Sequence, residues 1–252
     1  MDFKQKYLKY KQKYLFLKKQ YGGRRLKISN LDDLTGNKSD IIFLIFRSTF
    51  NESLGSSLSN LTSLTTLYFG SNFNQDLGKS LSNLTNLKFL KFGSNFNQGL
   101  GDSLSNLKNL ELIYFGENFN QDLGTSLSNL TNLQYLKFGS KFNKPLRDSL
   151  RNLRGLITLE FGDEFNQDLD SNSFADLINL EMLEFGNNYN GYLSNSLQDL
   201  RNLSYLKFGT DFNRPLFTLL KRIPSLKTLI VGSSYPHKGS LVTLNLDIRN
   251  IN

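Results

Sequence analysis

Few residues in this sequence are of types that do chemistry, and their spacing limits what they can do. The one histidine, His237, lies in the loop Tyr235-Pro236-His237-Lys238-Gly239 with no nucleophile set beside it, so a Ser-His arrangement has no support. Cysteine is absent, which removes thiolate metal ligands, disulfides and a cysteine nucleophile. The sequence has no H-E-x-x-H, no phosphate-binding glycine loop ending in Lys-Ser/Thr, and no clustered aspartates of the calcium-loop kind. Two carboxylates, Glu160 and Glu184, stand 24 residues apart in matching places. They would form a pair if brought together, although a solvated face is the simpler expectation. The sequence therefore predicts no catalytic residue, no metal, no cofactor and no small-molecule substrate.

Charge points elsewhere, and only in one place. Of the net +8, residues 1–27 carry ten Lys or Arg against one acid, which leaves the other 225 residues with 20 bases and 21 acids. Lysine recurs too often near the start for the uninterrupted apolar core of a secretory signal, and no run of 18 apolar residues exists to span a bilayer. An intracellular protein is expected. The Asn-x-Ser/Thr triplets at Asn60, Asn83, Asn129 and Asn202 are then by-products of a repeat and not glycan sites.

That repeat must position everything else. Aligned on a Phe-Asn pair, units begin at Phe50, Phe73, Phe96, Phe119, Phe142, Phe165, Tyr189 and Phe212, with a degenerate one at Tyr235. Each full step is 23 residues except the 24 between Phe165 and Tyr189, where the extra residue falls near Asp170-Ser171-Asn172. A fixed period of this size means a solenoid. The end of each "LxxLxF" segment alternates as a short strand does, and "SLSNLTNL" carries leucines at i, i+3 and i+6 behind a serine that can cap a turn. The expected fold is α/β: one short parallel strand per repeat on one face, with short helical or 3₁₀ turns on the convex side.

The phrase "NLTNLKFLKFGSN" (83–95) resembles the leucine-rich repeat consensus, and "FNKPL" (142–146) and "FNRPL" (212–216) are similar to the FNIP subtype found in amoebae and the giant viruses that infect them. The resemblance covers roughly residues 41–234. It implies a non-catalytic solenoid that binds a protein partner through its concave face, and for some relatives a substrate-recruiting role in a host ubiquitin ligase. The Asn of the Phe-Asn pair lies two positions beyond the asparagine usual in such repeats, whose own place is filled unevenly by Asn72, Asn95, Asn118, Lys141, Glu164, Asn188 and Asp211.

Recurrence separates scaffold from surface. Residues demanded by stacking recur in every unit, whereas residues free for binding vary. Phenylalanines at 46, 69, 92, 115, 138, 161, 185 and 208, and those of the Phe-Asn pairs, account for 15 of the 21 in the chain and are expected to be core spines. Asn74, Asn97, Asn120, Asn143, Asn166, Asn190 and Asn213, continuing from Asn51, are expected to form a buried internal ladder, because an amide both donates and accepts. A glycine follows the strand at 70, 93, 116, 139, 162, 186, 209 and 232, which calls for positive φ, for close backbone approach, or for a bare groove. The glycine of "FNQDLG" looks dispensable, since Arg147, Asp170, Ser194 and Phe217 replace it.

The strand positions flanking the inward leucine change from unit to unit, and they nominate Tyr68, Phe89, Lys91, Tyr114, Tyr135, Lys137, Glu160, Glu184, Tyr205 and Lys207 as the partner-binding face. The alternative is that these residues pack only against cross-strand neighbours.

Four segments follow in order: a basic leader (1–27), a cap with the first strand "IIFLIF" (28–49), eight repeats (50–234), and a shortened cap (235–252) in which "LVTLNL" (241–246) closes the sheet. In the leader, Phe3, Tyr7, Tyr10, Tyr14, Leu17 and Tyr21 alternate spacings of four and three between flanking lysines, so a helix there has one apolar face. An anionic partner suits it: an acidic helix, nucleic acid or a membrane surface. The alternative is a solvated helix folded onto the first rung. The leader also resembles the lysine- and tyrosine-rich start of many giant-virus proteins of the mimivirus type. Gly22-Gly23 is either a hinge or a processing site.

Overall fold

A 23-residue unit with one alternating segment and four or five leucines can bury those leucines only by stacking on the next unit. The computed structural model, which describes residues 24–34 and 38–251, has eleven strands in one parallel sheet arranged in chain order. They are β1 (Arg24–Ile28), β2 (Ile41–Phe46), β3 (Thr66–Tyr68), β4 (Phe89–Lys91), β5 (Leu112–Tyr114), β6 (Tyr135–Lys137), β7 (Thr158–Glu160), β8 (Met182–Glu184), β9 (Tyr205–Lys207), β10 (Thr228–Gly232) and β11 (Asp247–Ile251). From β3 to β9 the register is strictly rung on rung, so Leu67, Leu90, Ile113, Leu136, Leu159, Leu183 and Leu206 form one inward row. Each of them is fully buried.

The return path of each unit is a chain of tight turns. In one unit the N–H groups of Ser80, Ser82, Leu84 and Leu87 donate to the carbonyls of Leu77, Lys79, Leu81 and Leu84 at 2.8–3.1 Å. Spacing the donor three residues from the acceptor turns Leu77, Leu81, Leu84 and Leu87 all into the core. Among the described residues the one α-helix is α1 (Phe217–Leu220), and 3₁₀ helix is found at Leu31–Leu34 and Lys238–Leu241. Convex asparagines tie these turns together. The side-chain amides of Asn86, Asn109 and Asn132 each donate at 2.9 Å to a carbonyl one unit earlier. Asn83, Asn129 and Asn202, members of the glycan-like triplets, donate in the same way, which commits the nitrogen a glycan would need.

Two aromatic spines fill the space where the strands end. Rings 46, 69, 92, 115, 138, 161, 185 and 208 stack at 5.2–5.6 Å. Those of the Phe-Asn column stack at 5.8–6.1 Å from Phe50 to Tyr235. Tyr189 replaces phenylalanine in the second spine, and its hydroxyl is buried with no hydrogen-bond partner among the described residues; burial pushes that phenol well above its usual range.

The Asn column beside this spine runs through backbone groups. Oδ1 of Asn51, Asn74, Asn97, Asn120, Asn143, Asn166 and Asn190 accepts the backbone N–H of Asn74, Asn97, Asn120, Asn143, Asn166, Asn190 and Asn213 in turn, at 2.8–3.2 Å. Where glutamine follows, as at Gln98, Gln121 and Gln167, its amide donates to the same oxygen. The expectation of a buried stack is corrected: these asparagines lie along a partly exposed edge. Side-chain bonds in the column usual in such repeats, Asn95 to Asn72, Asn118 to Asn95 and Thr210 to Asp211, are exposed.

The glycine after the strand is there for close approach. A Cβ on Gly93 would stand 1.8 Å from the Gly70 carbonyl oxygen, and one on Gly116 would stand 1.8 Å from that of Gly93. The "FNQDLG" glycine has the opposite reason, and its expected dispensability is corrected. Gly55, Gly78, Gly101 and Gly124 have φ of +47 to +49°, and Arg147 and Ser194 adopt φ of 46° and 40° in their place. Asp170 escapes this conformation through the extra residue, its carboxylate accepting from Asn172 N–H, Ser173 N–H and the Ser173 hydroxyl. Phe217 escapes by starting α1.

The ends also differ from expectation. β1 pairs with β2 in parallel, so residues 24–27 belong to the sheet and the first rung precedes "IIFLIF". Behind it, Asn30 Oδ1 accepts Asp33 N–H while Asp33 accepts Ser29 N–H, closing the Leu31–Leu34 turn. At the other end, 241–246 runs from the last residue of the 3₁₀ helix through a turn and forms no strand, and the closing strand is β11, paired with β10 over five residues. Leu241 is buried there and Leu244 N–H bonds back to its carbonyl, so the segment folds under the last rung. The leader residues before Arg24 and the Gly22-Gly23 pair lie outside the described residues.

Candidate interaction surface

Alternation sends the residues on either side of each inward leucine to the concave side of the sheet. There they form two parallel columns. The first holds Thr66, Phe89, Leu112, Tyr135, Thr158, Met182 and Tyr205, each no more than 8% exposed. Phe89, Tyr135 and Tyr205, nominated as contact residues, therefore offer a partner little surface. Rungs about 4.8 Å apart let a long side chain lie across its neighbour and not stand out from the sheet. Phe89, Leu112 and Tyr135 make a small apolar cluster of their own, with Tyr114 against it, its ring 5.0 Å from that of Tyr135.

In the second column Tyr68, Tyr114, Lys137, Glu184 and Lys207 are half-buried, Lys91 is exposed and Glu160 is buried. Solvation was the expected state of Glu160 and Glu184, and this too is corrected. The Tyr135 hydroxyl donates to one Glu160 oxygen at 2.5 Å, and Lys137 Nζ lies 2.6 Å from the other. Lys207 Nζ lies 3.3 Å from Glu184 Oε2. Burial, then the neighbouring Glu160 charge, pushes the Glu184 carboxyl up, opposed by Lys207 and Lys137. Burial and these carboxylates also raise the phenols of Tyr135 and Tyr205. Rungs β6 to β9 thus carry two adjacent glutamates, Glu160 and Glu184, flanked by two lysines, Lys137 and Lys207, so the four charges sum to zero.

Toward the N-terminus the same face is different. Tyr68 meets Phe43 edge-on at 5.1 Å, and Arg25 lies over the Phe43 ring. A groove of about 590 Å³ runs along the strand ends here, lined by Lys27, Arg47, Lys91, Tyr114, Glu117 and Lys137 among others. A smaller one, about 300 Å³, continues past Glu160, Asp163 and Glu184. Among the described residues no group of three acidic or histidine side chains could hold a metal ion, and no helix is long and apolar enough to cross a membrane.

Residues 27–245 match the family model described as "Leucine-rich repeat region". Among solved structures, the chain is similar to CroV588, a giant-virus protein titled a novel circular leucine-rich-repeat structure, at 30% identity and a TM-score of 0.64. The match covers 77% of this chain and 27% of that one, so this chain spans about a quarter of that relative. It is also similar in fold to the internalin inlF of Listeria monocytogenes at 23% identity and a TM-score of 0.67, covering 90% of this chain and 67% of that one. No curated protein matches the sequence.

Proposed function

The chain belongs to the leucine-rich repeat family, and from that premise we propose that it is a non-catalytic scaffold, of the FNIP-like kind seen in giant viruses, that binds a protein partner through its concave face. One observation carries this reading: the core leucine columns and the strand-end columns hold the same residue types rung after rung, whereas the second concave column runs Tyr68, Lys91, Tyr114, Lys137, Glu160, Glu184, Lys207. Stacking does not require that variation. Members of repeat families use their extended concave surfaces for binding, and tyrosines are among the anchors such interfaces use, with charged residues at the rim.

Crosslinking and affinity capture with wild type, a Tyr68→Ala/Tyr114→Ala variant and a convex Lys79→Ala control provide the test. The concave variant is expected to lose a partner that the control keeps while it remains folded, with a melting temperature lowered modestly by the lost ring contacts to Phe43 and Tyr135. Recovery of the same proteins in the same yield by all three would overturn the reading.

A second reading rests on the concentration of positive charge in residues 1–27, which suits a tether to nucleic acid or membrane. Neutralising Lys4, Lys6, Lys9, Lys11 and Lys13 to Gln separates the two. Loss of salt-sensitive binding alone assigns that binding to the leader, whereas loss of the protein partner as well would move partner capture away from the concave face.

A further inference from the structure

The concave face is electrically divided. In the C-terminal half, lysines are matched: Lys137 with Glu160 and Lys207 with Glu184. In the N-terminal half, Lys27 on β1, Arg47 just after β2 and Lys91 on β4 are exposed and make no ion pair among the described residues. All three line the larger groove, where Glu117 is the one carboxylate among the described residues. The floor between them is bare backbone, because no side chain fits at Gly70, Gly93 and Gly116, and the hydroxyls of Ser48, Ser71 and Ser94 edge it.

We propose that this half of the groove, from β1 to β5, takes an extended acidic segment of a protein partner, whose carboxylates meet Lys27, Arg47 and Lys91 while its backbone lies over the glycine floor. The proposal rests on the concave-face reading above and names the partner's chemistry. The dimensions agree with it. Lys27 and Lys91 are three rungs apart, roughly 14 Å, which about four residues of extended chain span. Acidic residues about four apart along the partner, with another between them near Arg47, would be matched.

A nucleic acid fits less well. Its charge recurs at every nucleotide, and within three more rungs the groove reaches Glu160, Asp163 and Glu184. Its bases also need open aromatic faces, yet Phe89 and Tyr135 are covered, and Tyr68 and Tyr114 are only half-open. A polypeptide can carry acids at one end and none at the other.

The test uses the full chain and fluorescence anisotropy with two probes: an eight-residue labelled peptide bearing four glutamates, and a ten-nucleotide single-stranded RNA. Three proteins are compared: wild type, Arg47→Glu/Lys91→Glu, and the five-lysine leader variant. Both altered sites are exposed, so melting temperatures should match. The peptide should bind wild type and the leader variant alike and lose roughly tenfold or more in affinity for the charge-reversed variant. Equal peptide binding by the charge-reversed variant overturns the proposal, as does loss of peptide binding in the leader variant. RNA that competes the peptide off wild type and loses its own affinity in the charge-reversed variant would assign the groove to nucleic acid instead. If the peptide is indifferent to Arg47 and Lys91 but a captured partner still depends on Tyr68 and Tyr114, the acidic-segment proposal fails while the concave-face reading stands.

Discussion

The columns at the strand ends and those on the concave face are separated by one or two residues, yet they follow opposite rules. Phe92, Gly93, Phe96 and Asn97 touch copies of themselves above and below, so any change is felt by two neighbouring rungs. Lys91 is exposed, and its equivalents are Tyr68, Tyr114 and Lys137. Uniformity follows from self-contact, and variety is left to positions without it. Substitution should therefore cost stability at the strand ends and binding on the concave face.

The largest effect is expected at Gly116. A Cβ there meets the Gly93 carbonyl oxygen at 1.8 Å, and backbone cannot move aside without opening the sheet between rungs. Gly116→Ala should lose more than about 3 kcal/mol by denaturant unfolding. A loss below about 1 kcal/mol would mean that the ledge can yield, and close approach would no longer explain the column.

Next comes Asn120. Its Oδ1 accepts the Asn143 N–H at 3.0 Å, and alanine leaves that donor facing partly exposed space. Asn120→Ala should lower stability by roughly 1–2 kcal/mol and leave partner capture intact. Unchanged melting would remove the ladder's structural role, and lost capture at normal stability would place a binding residue among the strand-end columns.

Tyr189 sharpens the contrast from the other direction. It is a polar substitution inside a spine of phenylalanines, with its hydroxyl buried and unpartnered among the described residues. Tyr189→Phe should raise stability by about 1 kcal/mol, read from the shift of the unfolding midpoint. A decrease would reveal a hydrogen-bonding role for this hydroxyl and make Tyr189 an exception to spine uniformity.

How much of this could be read from residues alone follows from the same rule. The period, the two spines, the invariant asparagine and the glycine column were all legible, because self-contact writes itself into recurrence. The burial of Phe89, Tyr135, Tyr205 and Glu160 was not. It arises from side chains leaning across a narrow rung spacing, and alternation records which face a residue takes but not how it lies there. β1 and β11 were missed because "RRLKI" and "DIRNI" lack the Phe-Asn signal; the spacing of Leu26 and Ile28 was the one available clue. The left-handed glycine was misread because its replacements, Arg147 and Ser194, tolerate the same φ, so variation at that site hid a conformational demand.

The smallest effect tests the self-neutralised half of the concave face through pH. Glu184 is held above the ordinary carboxyl range, first by burial and second by Glu160. Between its ordinary value and that raised value, the folded chain binds more protons at this site than the unfolded chain does. Stability from this group therefore falls as pH rises through the window, because the folded state must then carry the charge that burial disfavours. Glu184→Gln cannot titrate, so its melting temperature should gain on wild type as pH rises from about 4 toward neutrality, and the gap should then level off. The gain should be partial, because ionised Glu184 recovers some of its burial cost through Lys207, 3.3 Å away. Parallel melting curves for the two proteins across that range would mean that the lysines cancel the burial completely. The C-terminal half would then be as indifferent to charge as a solvated surface, and the electrical division of the concave face would rest on the unmatched cations of the N-terminal half alone.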